Sequence, residues 1–327
     1  MSPADSHELP AAFVERLRDI LPEPYFEGCI RAFAEVRPTA FRVNELKTDA
    51  SSLLAELELD GFTPKPISSK AEAFEVPQTQ RDRLTRAAAC TEGRLYIQNP
   101  SSMIPPIALD PKDDEWILDL TAAPGGKTVQ LAGMMGNRGQ ISAVESVRSR
   151  FFRLKRVLDQ YGVENTRTFL KDGARVWHSC PEQFDRVLLD APCTAEGRFE
   201  LRDPRSYAYW STKKISEMKR KQVRLIYSAI QSLKPGGVLV YSTCTFAPEE
   251  NEFIIDGALR RFEGALRVEP LPPEALPDKA SNSARGLLQW KGKTLHPDID
   301  NCTRILPDGI MEGFFIARLR KLSSTAG

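Results

Sequence analysis

From about residue 115 onward, short apolar runs alternate along the chain with amphipathic stretches. Segments 148–162 and 213–233 have the 3.6-residue periodicity of helices. Around them lie runs typical of buried strands: WILDL (116–120), QISAVE (140–145), RTFL (167–170), FDRVLLD (184–190), GGVLVYS (236–242) and EGFFIARLRK (312–321). Strands that alternate with helices predict an α/β fold, in which a mostly parallel sheet is covered by helices on both faces.

The residues before this region follow a different pattern. They contain an amphipathic stretch, a strand-like run and a short helix that ends at a glycine, namely 11–35, AFRVNEL (40–46) and SSLLAELELDGF (51–62). The segment YIQNPSS (96–102) is rich in turn-forming residues and marks the change of pattern. We therefore expect a smaller N-terminal α+β domain over 1–95, a larger domain over 96–322 and a disordered tail over 323–327.

Several classes of protein are excluded by composition. No apolar run approaches the roughly 20 residues that a membrane-spanning helix needs, and the first ten residues lack the basic-then-apolar order of a signal peptide. We therefore expect a cytoplasmic protein with reduced cysteines and no membrane partner. The six cysteines and three histidines include no closely spaced pair of the zinc-binding kind, so we expect no metal. Chemistry must then come from cysteine, carboxylates, lysine or a cofactor.

Reactive side chains follow the predicted strands at the points where these strands end. Asp190 closes the run at 184–190 and Cys193 follows it, while Cys244 comes two residues after the run at 236–242. The carboxyl ends of parallel strands meet at one edge of a sheet, which is where ligands bind in open α/β folds. A free cysteine is more often a buried packing residue. Two cysteines at one sheet edge beside carboxylates nevertheless favour a chemical role.

The strand at 116–120 runs into a glycine turn and then into a helical pattern. Such a turn lets a ligand approach the backbone and presents amide groups at the amino end of a helix. The phosphate loop of nucleotide hydrolases needs a glycine where Thr121 stands, and the dinucleotide fingerprint G-x-G-x-x-G is absent, so both sites are disfavoured. The candidates for cofactor binding in the turn are Thr121, Ala122, Ala123, Pro124, Gly125, Gly126 and Lys127.

Acidic residues follow the next two strands. Glu145 ends a strand about twenty residues after the glycine turn, a position from which an acid bonds ribose hydroxyls in Rossmann-type folds. Asp172, after the third strand, is a second candidate for cofactor binding. Either acid could instead cap a helix, which is credible for Asp172 and less so for Glu145, because Ser146 could cap in its place. A glycine turn with two acids indicates a nucleoside without a pyrophosphate, such as S-adenosylmethionine.

Six motifs follow one another over nearly the whole chain. They are FRVN (41–44), QNPSSM (98–103), DLTAAPGGKT (119–128), LLDAPCTAEG (188–197), LKPGGVLVYSTCTFAPEEN (233–251) and RILPDGIMEGFF (304–315). In this order they resemble the Sun/RsmB family of RNA cytosine-5 methyltransferases, and the pairing of DAPC with STCTF and EEN is the specific part. The resemblance implies a Rossmann-like class I methyltransferase fold, S-adenosylmethionine as cofactor, ribosomal or transfer RNA as substrate, and an RNA-binding N-terminal domain.

The resemblance also implies roles for four residues. In the family, the cysteine of the Thr-Cys motif, here Cys244, adds to carbon 6 of cytosine, and that of the Pro-Cys motif, here Cys193, assists product release. Asp190 would hydrogen-bond the cytosine and is also a candidate for cofactor binding, and Lys127 would lie near both the methionine carboxylate and the base. DNA cytosine methyltransferases use the Pro-Cys cysteine as nucleophile, so Cys193 remains an alternative. Thr194-Ala195 stands where Ser-Gly is usual, and we expect a less flexible loop there.

RNA contacts are expected on other surfaces, although a net charge of +1 gives no global basic field. Basic clusters lie on the predicted helices at 148–156 and 213–224, and RDPRSYAYW (202–210) mixes arginine with aromatic residues that could stack on bases. The alternative interpretations are solvated helix faces and a packed loop. A catalytically silent RNA-binding assembly factor and a small-molecule methyltransferase are the competing functions, and we expect a monomer.

Overall fold

A computed structural model describes residues 8–21, 23, 25–68, 72–276 and 282–325 of the chain. The helices of its N-terminal part are α1 (Ala11–Ile20), α2 (Tyr25–Ala34), α3 (Ala50–Leu59), α4 (Arg81–Arg86) and α5 (Ala88–Thr91). Its strands are β1 (Thr39–Val43), β2 (Lys65–Ser68), β3 (Ala73–Val76) and β4 (Leu95–Ile97). These strands form an antiparallel sheet in the order β2-β3-β1-β4, with a core that includes Phe41, Leu53 and Leu57.

The ends of the N-terminal helices follow from local sequence. α3 begins where the Asp49 carboxylate accepts a hydrogen bond from Ser52 N. It ends before Gly61, whose φ of +76° is the left-handed conformation that glycine adopts most easily. The amphipathic stretch at 11–35 is divided between α1 and α2. The sequence has prolines at 22 and 24, and a proline inside a helix removes a backbone hydrogen bond.

α1 and α2 pack against the larger domain. Phe13 and Phe33 belong to one buried cluster with Phe199 and Phe246. The ring centroids of Phe13 and Phe199 are 4.8 Å apart, and those of Phe33 and Phe246 are 6.2 Å apart. The first ninety-odd residues therefore contribute to two cores, one in the small sheet and one shared with the segments that follow the central strands of the large sheet.

The larger domain alternates strands and helices up to residue 261 and adds short strands after it. Its helices are α6 (Pro100–Leu109), α7 (Gly126–Met134), α8 (Arg148–Gln160), α9 (Thr212–Ser232) and α10 (Glu252–Arg261). Its strands are β5 (Trp116–Asp119), β6 (Gln140–Glu145), β7 (Thr166–Leu170), β8 (Phe184–Asp190), β9 (Leu233–Thr243), β10 (Leu266–Glu269), β11 (Ser283–Arg285), β12 (Gln289–Trp290), β13 (Lys293–Thr294), β14 (Thr303–Ile305) and β15 (Phe314–Lys321).

In the described part of the chain, nine strands form the large sheet in the order β11-β14-β15-β9-β8-β5-β6-β7, with β10 paired to β15. Strands β9, β8, β5, β6 and β7 are parallel, and β15 runs antiparallel to β9. One face carries a core with residues of α9 and α10, and the other a core with residues of α6 and α7. The predicted α/β, Rossmann-like sheet with a smaller N-terminal domain is confirmed.

The strand order creates a crevice at the carboxyl edge of this sheet. The chain runs from β5 outward to β6 and β7, and then returns to the other side of β5 as β8 and β9. Such a switch point leaves room for a ligand outside the strand ends. The glycine turn after β5 and Asp190 at the end of β8 lie on the two sides of this point.

α6 is a helix where the sequence indicated only turns. Asn99 caps it by accepting a hydrogen bond from the backbone N–H two residues on, at 3.0 Å, and Pro100 occupies the first turn, where its missing N–H has no partner to lose. Pro105 and Pro106 lie inside the helix, a composition that argues against one. Burial of Ile104 and its neighbours in the core offsets the backbone hydrogen bonds that the two prolines cannot donate. Neither α6 nor any other helix of the described ranges has the length and apolar character of a membrane span.

The last described residues are attached to the large domain. Ser324 and Thr325, which we expected in a disordered tail, donate hydrogen bonds to the Glu182 carboxylate at 2.9 and 3.0 Å. Residues 326 and 327 lie outside the described residues. Lys321 donates to the same carboxylate at 2.8 Å. Burial alone would raise the pKa of Glu182, but these hydrogen bonds and the charge of Lys321 together lower it to about 2.

Candidate active site

A cavity of about 710 Å³ opens at the carboxyl ends of β5, β8 and β9, where the N-terminal domain meets the large sheet. Tyr96 of β4 lines it on the N-terminal side. The predicted site residues in its lining are Thr121, Ala122, Ala123, Pro124, Gly126, Lys127, Asp190 and Cys244. The predicted residues outside its lining are Gly125, Glu145, Asp172 and Cys193. Over the described ranges, no group of three or more His, Cys, Asp or Glu residues could hold a metal ion.

Close packing fixes the glycine turn at both of its glycines. Gly125 has a φ of +120°, and a Cβ atom there would lie 3.0 Å from the side chain of Val157. A Cβ atom on Gly126 would lie 2.9 Å from the ring of Tyr96. Both positions therefore require glycine, and the amino end of α7 lies at the cavity.

Glu145 is buried at the end of β6, and its carboxylate contacts the start of α8. It accepts a hydrogen bond from Val147 N at 2.8 Å, and Ser146 does not cap this helix, whose N-cap residue is Val147. Arg150 Nη1 lies 3.4 Å from the same carboxylate, and Arg150 Nη2 donates to Ala123 O at 2.6 Å. Arg150, which we did not single out from the sequence, therefore connects the acid to the glycine turn.

Asp172 has the capping role that was its alternative interpretation. Its carboxylate accepts a hydrogen bond from Ala174 N at 3.0 Å, where a short 3-10 helix, Gly173–His178, begins. The second carboxylate oxygen lies 3.5 Å from Arg224 Nη2, and half of the side chain is exposed. Because the cap uses one oxygen, capping and ligand binding are compatible at this residue.

Lys127 and Asp190 form an ion pair in the cavity lining. Lys127 Nζ lies 2.6 Å from Asp190 Oδ2 and donates to Ser102 Oγ at 2.6 Å, while the other Asp190 oxygen accepts from Ser242 Oγ at 2.8 Å. The Lys127 side chain is 11% exposed and that of Asp190 is 33% exposed. The pair therefore meets the cavity mainly through the carboxylate. Phe314, whose ring centroid lies 5.5 Å from Lys127 Nζ, belongs to the same wall.

The two cysteines expected at adjacent strand ends lie together. Cys193 Sγ and Cys244 Sγ are 3.4 Å apart. Cys244 lines the cavity, whereas Cys193 does not. The hydrogen bond with Cys244, burial and the charges of Cys244 and Glu250 hold the pKa of Cys193 well above its ordinary value. Cys244 is therefore the sulfur that a molecule in the cavity meets first.

Glu250, a buried residue shortly after β9, holds the loop that carries Cys193. Its carboxylate accepts hydrogen bonds from Thr194 N at 3.1 Å and from Gln222 Nε2 at 2.9 Å, and it also bonds the Thr194 hydroxyl. Gln222 donates to Pro192 O as well, at 2.9 Å, so the residues on both sides of Cys193 are fixed. Burial raises the pKa of Glu250 to about 7. The EEN motif was the sequence signal for this residue.

Glu196 fixes the same loop from its other end. Its carboxylate accepts hydrogen bonds from Thr245 Oγ1 at 2.8 Å, Phe246 N at 3.0 Å and Trp210 Nε1 at 2.7 Å. Between the two glutamates, Ala195 has a φ of +57°. This left-handed conformation costs a residue with a Cβ atom about 1–2 kcal/mol, and the glycine that is usual here would adopt it freely. Contacts from both sides hold the loop in this conformation.

The basic helix faces predicted to contact RNA are partly neutralised. On α9, Lys214 and Lys221 each lie 2.9 Å from the Glu217 carboxylate, and Lys219 Nζ lies 5.0 Å from the ring centroid of Phe253. These contacts are those of a solvated helix face. They leave the remaining cations of the cluster as candidates for RNA contacts.

The segment 202–210 is partly a packed loop and partly exposed to solvent, so each of the two interpretations holds for some of its residues. Trp210 packs in the cluster with Phe13, at 5.6 Å between ring centroids, and Tyr207 is buried. Tyr209 is 89% exposed and is the aromatic ring of this segment that an RNA base could reach. Arg202 of this segment lines the cavity, as do three arginines that sequence analysis did not single out, Arg37, Arg81 and Arg198.

Comparison with known families accounts for nearly all of the chain. Residues 106–320 match the family described as 16S rRNA methyltransferase RsmB/F. Residues 9–100 match the family described as the N-terminal domain of 16S rRNA methyltransferase RsmF. The two matches meet between the small sheet and the large one, at α6.

Curated relatives and solved structures agree with these matches. The chain is 37% identical to ribosomal RNA small subunit methyltransferase F of Erwinia tasmaniensis over 96% of its own length, and it spans 64% of the length of that relative. It is 38% identical to tRNA (cytosine(49)-C(5))-methyltransferase of Pyrococcus abyssi, with 88% of this chain and 89% of the relative covered. A methyltransferase homolog from Pyrococcus horikoshii superimposes with a TM-score of 0.76 at 33% identity, over 96% of this chain and all of that one. The chain therefore belongs to the RsmB/F methyltransferase family.

Proposed function

We propose that the chain is an S-adenosylmethionine-dependent RNA cytosine-5 methyltransferase that acts on ribosomal or transfer RNA. The main support is a pair of cysteine sulfurs that lie 3.4 Å apart at the ends of two strands. One of these cysteines, Cys244, lines a cavity together with Lys127 and Asp190. Carbon 5 of cytosine is too electron-poor to accept a methyl group directly. A thiolate that adds to carbon 6 makes carbon 5 nucleophilic, and covalent catalysis thereby divides one hard step into two.

The residues at the switch point fit S-adenosylmethionine, which supplies the methyl group when bound. The glycines of the turn pack closely against Val157 and Tyr96, and the amino end of α7, which lies at the cavity, favours a carboxylate such as that of methionine. Glu145 is a buried carboxylate at the next strand end and is proposed to accept the ribose hydroxyls. Asp172, half-exposed after β7, is proposed to lie near the adenine.

The two thiols divide the reaction between them. Cys244 loses its thiol proton, and its sulfur bonds to carbon 6 of the cytosine. Carbon 5 then takes the methyl group and holds it together with its original hydrogen. Once the Cys244 sulfur is bonded to carbon 6, it no longer raises the pKa of Cys193 through its hydrogen bond and charge. Cys193 gives its thiol proton to solvent and, as a thiolate, removes the original hydrogen of carbon 5 as a proton. The double bond between carbons 5 and 6 then re-forms, and the bond from carbon 6 to Cys244 breaks. Each turnover releases one proton, and sulfurs 3.4 Å apart are well placed to act on neighbouring carbons of one base.

The assignment of the nucleophile rests on which sulfur the cavity presents. Cys244 lines the cavity together with Asp190 and Lys127, whereas Cys193 lies outside the lining. Asp190 is proposed to accept hydrogen bonds from the cytosine, and the ammonium of Lys127 holds this carboxylate in place at 2.6 Å.

RNA is proposed to lie across the cavity and the surfaces around it. A cytosine in a helix cannot reach a sulfur inside a cavity, so the target must be unpaired or flipped out. Arg81 from α4 and Arg202 from the loop after β8 line this cavity from the two domains, where they are placed to contact phosphates. The basic faces of α8 and α9 and the N-terminal domain are proposed to extend this contact. Cytoplasmic location and a monomeric state are part of the same proposal.

No observation favours the catalytically silent assembly factor. A member of the family without catalysis would be expected to lack one of the groups that carry the reaction. The chain keeps Cys244, Cys193, Asp190 and Lys127, and the structure brings all four to one edge of the sheet.

The test of this function separates the two cysteines. Cys193→Ala is expected to attack and accept the methyl group but to stall before elimination, leaving protein bound covalently to RNA. Cys244→Ala is expected to form no adduct and no product. Cys180→Ala, outside the cavity lining, is the matched control and should behave as the wild type. Each protein is incubated with small-subunit ribosomal RNA or unmodified transfer RNA transcripts and S-adenosylmethionine, and denaturing gels display the adduct as a slow band.

Two results would overturn the assignments. A slow band in Cys244→Ala with none in Cys193→Ala would reverse the roles of the two sulfurs. Methylation that survives in Cys244→Ala would return Cys244 to a packing role. If the wild type transfers no labelled methyl group to either class of RNA at any protein concentration, the proposed activity itself is wrong.

A further inference from the structure

Four polar side chains form a continuous chain between the loop that carries Cys193 and the residues that follow β9. The Glu250 carboxyl bonds Thr194 Oγ1, Thr194 Oγ1 lies 2.8 Å from Thr245 Oγ1, and Thr245 Oγ1 lies 2.8 Å from Glu196 Oε2. Glu250, Thr245 and Glu196 are buried. The chain therefore links the residue after Cys193 to the residue after Cys244, within the protein interior.

A count of hydrogens shows that this series of four hydrogen-bonded side chains carries an extra proton. It has three contacts between oxygens, and each hydrogen bond needs one hydrogen. The hydroxyls of Thr194 and Thr245 supply two. If both glutamates were ionised, one contact would place two lone pairs against each other in a buried site, at the cost of an unsatisfied polar pair. One of the two carboxyl groups must therefore be protonated.

The other donors around the two carboxyls indicate where this proton resides. Each oxygen of Glu196 accepts a nitrogen donor, Trp210 Nε1 on one and Phe246 N on the other. At Glu250, both nitrogen donors, Thr194 N and Gln222 Nε2, point at Oε2. Glu250 Oε1 meets only the Thr194 hydroxyl among the hydrogen bonds of the described residues, so it is the oxygen that can hold a hydrogen.

We propose that Glu250 works as a neutral carboxylic acid, a positioning residue that donates to Thr194 and so holds Cys193 in place for product release. The role in product release rests on the function proposed above. The hydrogen bonds then run in one direction, from Glu250 through Thr194 and Thr245 to an ionised Glu196. In this arrangement each of the three contacts between oxygens contains one hydrogen.

Burial and the acidic groups that face Glu250 oppose its ionisation, and they outweigh the hydrogen bonds from Thr194 and Gln222, which favour it. Cys193 and Glu196 lie on the loop after β8, and a negative charge on either raises the pKa of a carboxyl beside it. From α9 comes the uncharged Gln222, and from β9 the Tyr241 hydroxyl donates to Glu250 O at 2.6 Å. The pKa of about 7 that burial gives to Glu250 agrees with a carboxyl that is neutral over the lower physiological range.

Ionisation of Glu250 is expected to slow the last step of the reaction. Above pH 7 the proton leaves, the contact between Thr194 and Thr245 loses its hydrogen, and two buried charges occupy the two ends of the chain. The loop that carries Cys193 then loses its hydrogen bond to Thr245, one of the contacts that hold it. This step also needs the Cys193 thiolate, whose fraction rises with pH, so the effect of Glu250 is measured relative to Glu250→Gln, which has no ionisable group at this position. The rate of adduct decay in the wild type divided by that in Glu250→Gln should fall by about tenfold per pH unit above pH 7, because only the neutral fraction of Glu250 is competent.

The experiment compares Glu250→Gln and Glu250→Ala with the wild type. Glutamine keeps a donor toward Thr194 and an acceptor toward Gln222 without an ionisable group. We expect Glu250→Gln to release product within about threefold of the wild type at pH 6.5 and to become faster than the wild type by about tenfold per pH unit above pH 7, while Glu250→Ala accumulates adduct at every pH. Glu249→Gln, at the neighbouring residue that pairs with Arg16 at 2.7 Å, is the control and should keep the wild-type pH profile.

A second measurement needs neither RNA nor cofactor. In protein labelled with ¹³C at the glutamate carboxyls, the NMR signal that disappears in Glu250→Gln should titrate near pH 7. A signal that titrates near the ordinary glutamate value of about 4.3 would overturn the proposal, and so would a Glu250→Gln variant that is folded and stalls as Glu250→Ala does. A titration near pH 7 in a protein that methylates no RNA would sink the proposed function and leave the neutral carboxyl established.

Discussion

Replacement of Lys127 by methionine tests how much the buried ion pair contributes to the reaction. Lys127 Nζ lies 2.6 Å from Asp190 Oδ2, and at an effective dielectric constant of about 20 their attraction is roughly 6 kcal/mol. Desolvation of the two ions cancels several kcal/mol of this attraction. The Asp190 side chain is 33% exposed, so water screens the pair further. We therefore expect a net coupling of about 2–3 kcal/mol, which corresponds to roughly 30- to 150-fold in kcat/KM.

The assay is transfer of a labelled methyl group to an RNA transcript, arranged as a double-mutant cycle. Lys127→Met, Asp190→Asn and the double variant are compared with the wild type, and urea unfolding shows that each is folded. In Lys127→Met the carboxylate keeps its hydrogen bond from Ser242 but loses its counter-charge. The double variant should be less impaired than the product of the two single effects, because neither side chain retains an unpaired charge.

A second ion pair of the same chemistry serves as the control. Lys234 Nζ lies 2.6 Å from Asp185 Oδ1, near the amino end of β8, whereas Asp190 lies at its carboxyl end. Lys234→Met and Asp185→Asn should leave kcat/KM within about twofold of the wild type. If the effects of Lys127→Met and Asp190→Asn add to within about 0.5 kcal/mol, the two groups act independently and the reasoning is refuted.

Three further predictions concern stability and cofactor binding. Arg304→Met should lower the free energy of unfolding by about 3–5 kcal/mol in urea titrations, because Glu252, buried and 2.6 Å from Arg304 Nη2, would keep its charge without a partner; a loss below 1 kcal/mol would contradict this. Glu182→Gln should lower the Tm at pH 7 but hardly at pH 2. A folded-state pKa of about 2 stabilises the fold above the ordinary glutamate pKa, and this stabilisation is lost as pH falls from about 4.5 to 2. Equal losses of Tm at both pH values would rule out this linkage. Glu145→Ala should weaken S-adenosylmethionine binding by about 1–3 kcal/mol in calorimetry, and unchanged affinity in a folded variant would remove Glu145 from the cofactor site.

The central sheet could be predicted because its strands are buried on both faces. Such strands read as continuous apolar runs, and β6 and β8 occupy the predicted residues 140–145 and 184–190. The segment between β10 and β15 gave no comparable signal. Its strands β11 to β14 are two or three residues long, which is too short for a period of two to emerge. Pairing with β15 and with each other defines them, and that pairing depends on the whole fold.

The convergence of the site residues was predictable for a similar reason. Because parallel strands end at one edge, Cys193, Cys244 and Asp190 had to be neighbours there. The contacts from distant segments were not predictable. Arg81 reaches the cavity from the N-terminal domain, and Glu250 lies 56 residues along the chain from Thr194. The sequence shows which residue types can pair, but their partners follow only from how the elements pack.

The composition of the strand end Ser-Thr-Cys-Thr has a physical explanation in these contacts. A buried hydroxyl without a partner costs about 1–3 kcal/mol, so three of them within four residues would weaken an ordinary strand. Each hydroxyl has a specific acceptor: Asp190 Oδ1 at 2.8 Å for Ser242, Asn251 Oδ1 at 2.6 Å for Thr243 and Glu196 Oε2 at 2.8 Å for Thr245. Of the four residues, only Cys244 lines the cavity. A cysteine that served packing alone would need no such framework, so the three hydroxyls are best explained as the groups that hold one sulfur at a fixed position facing the cavity.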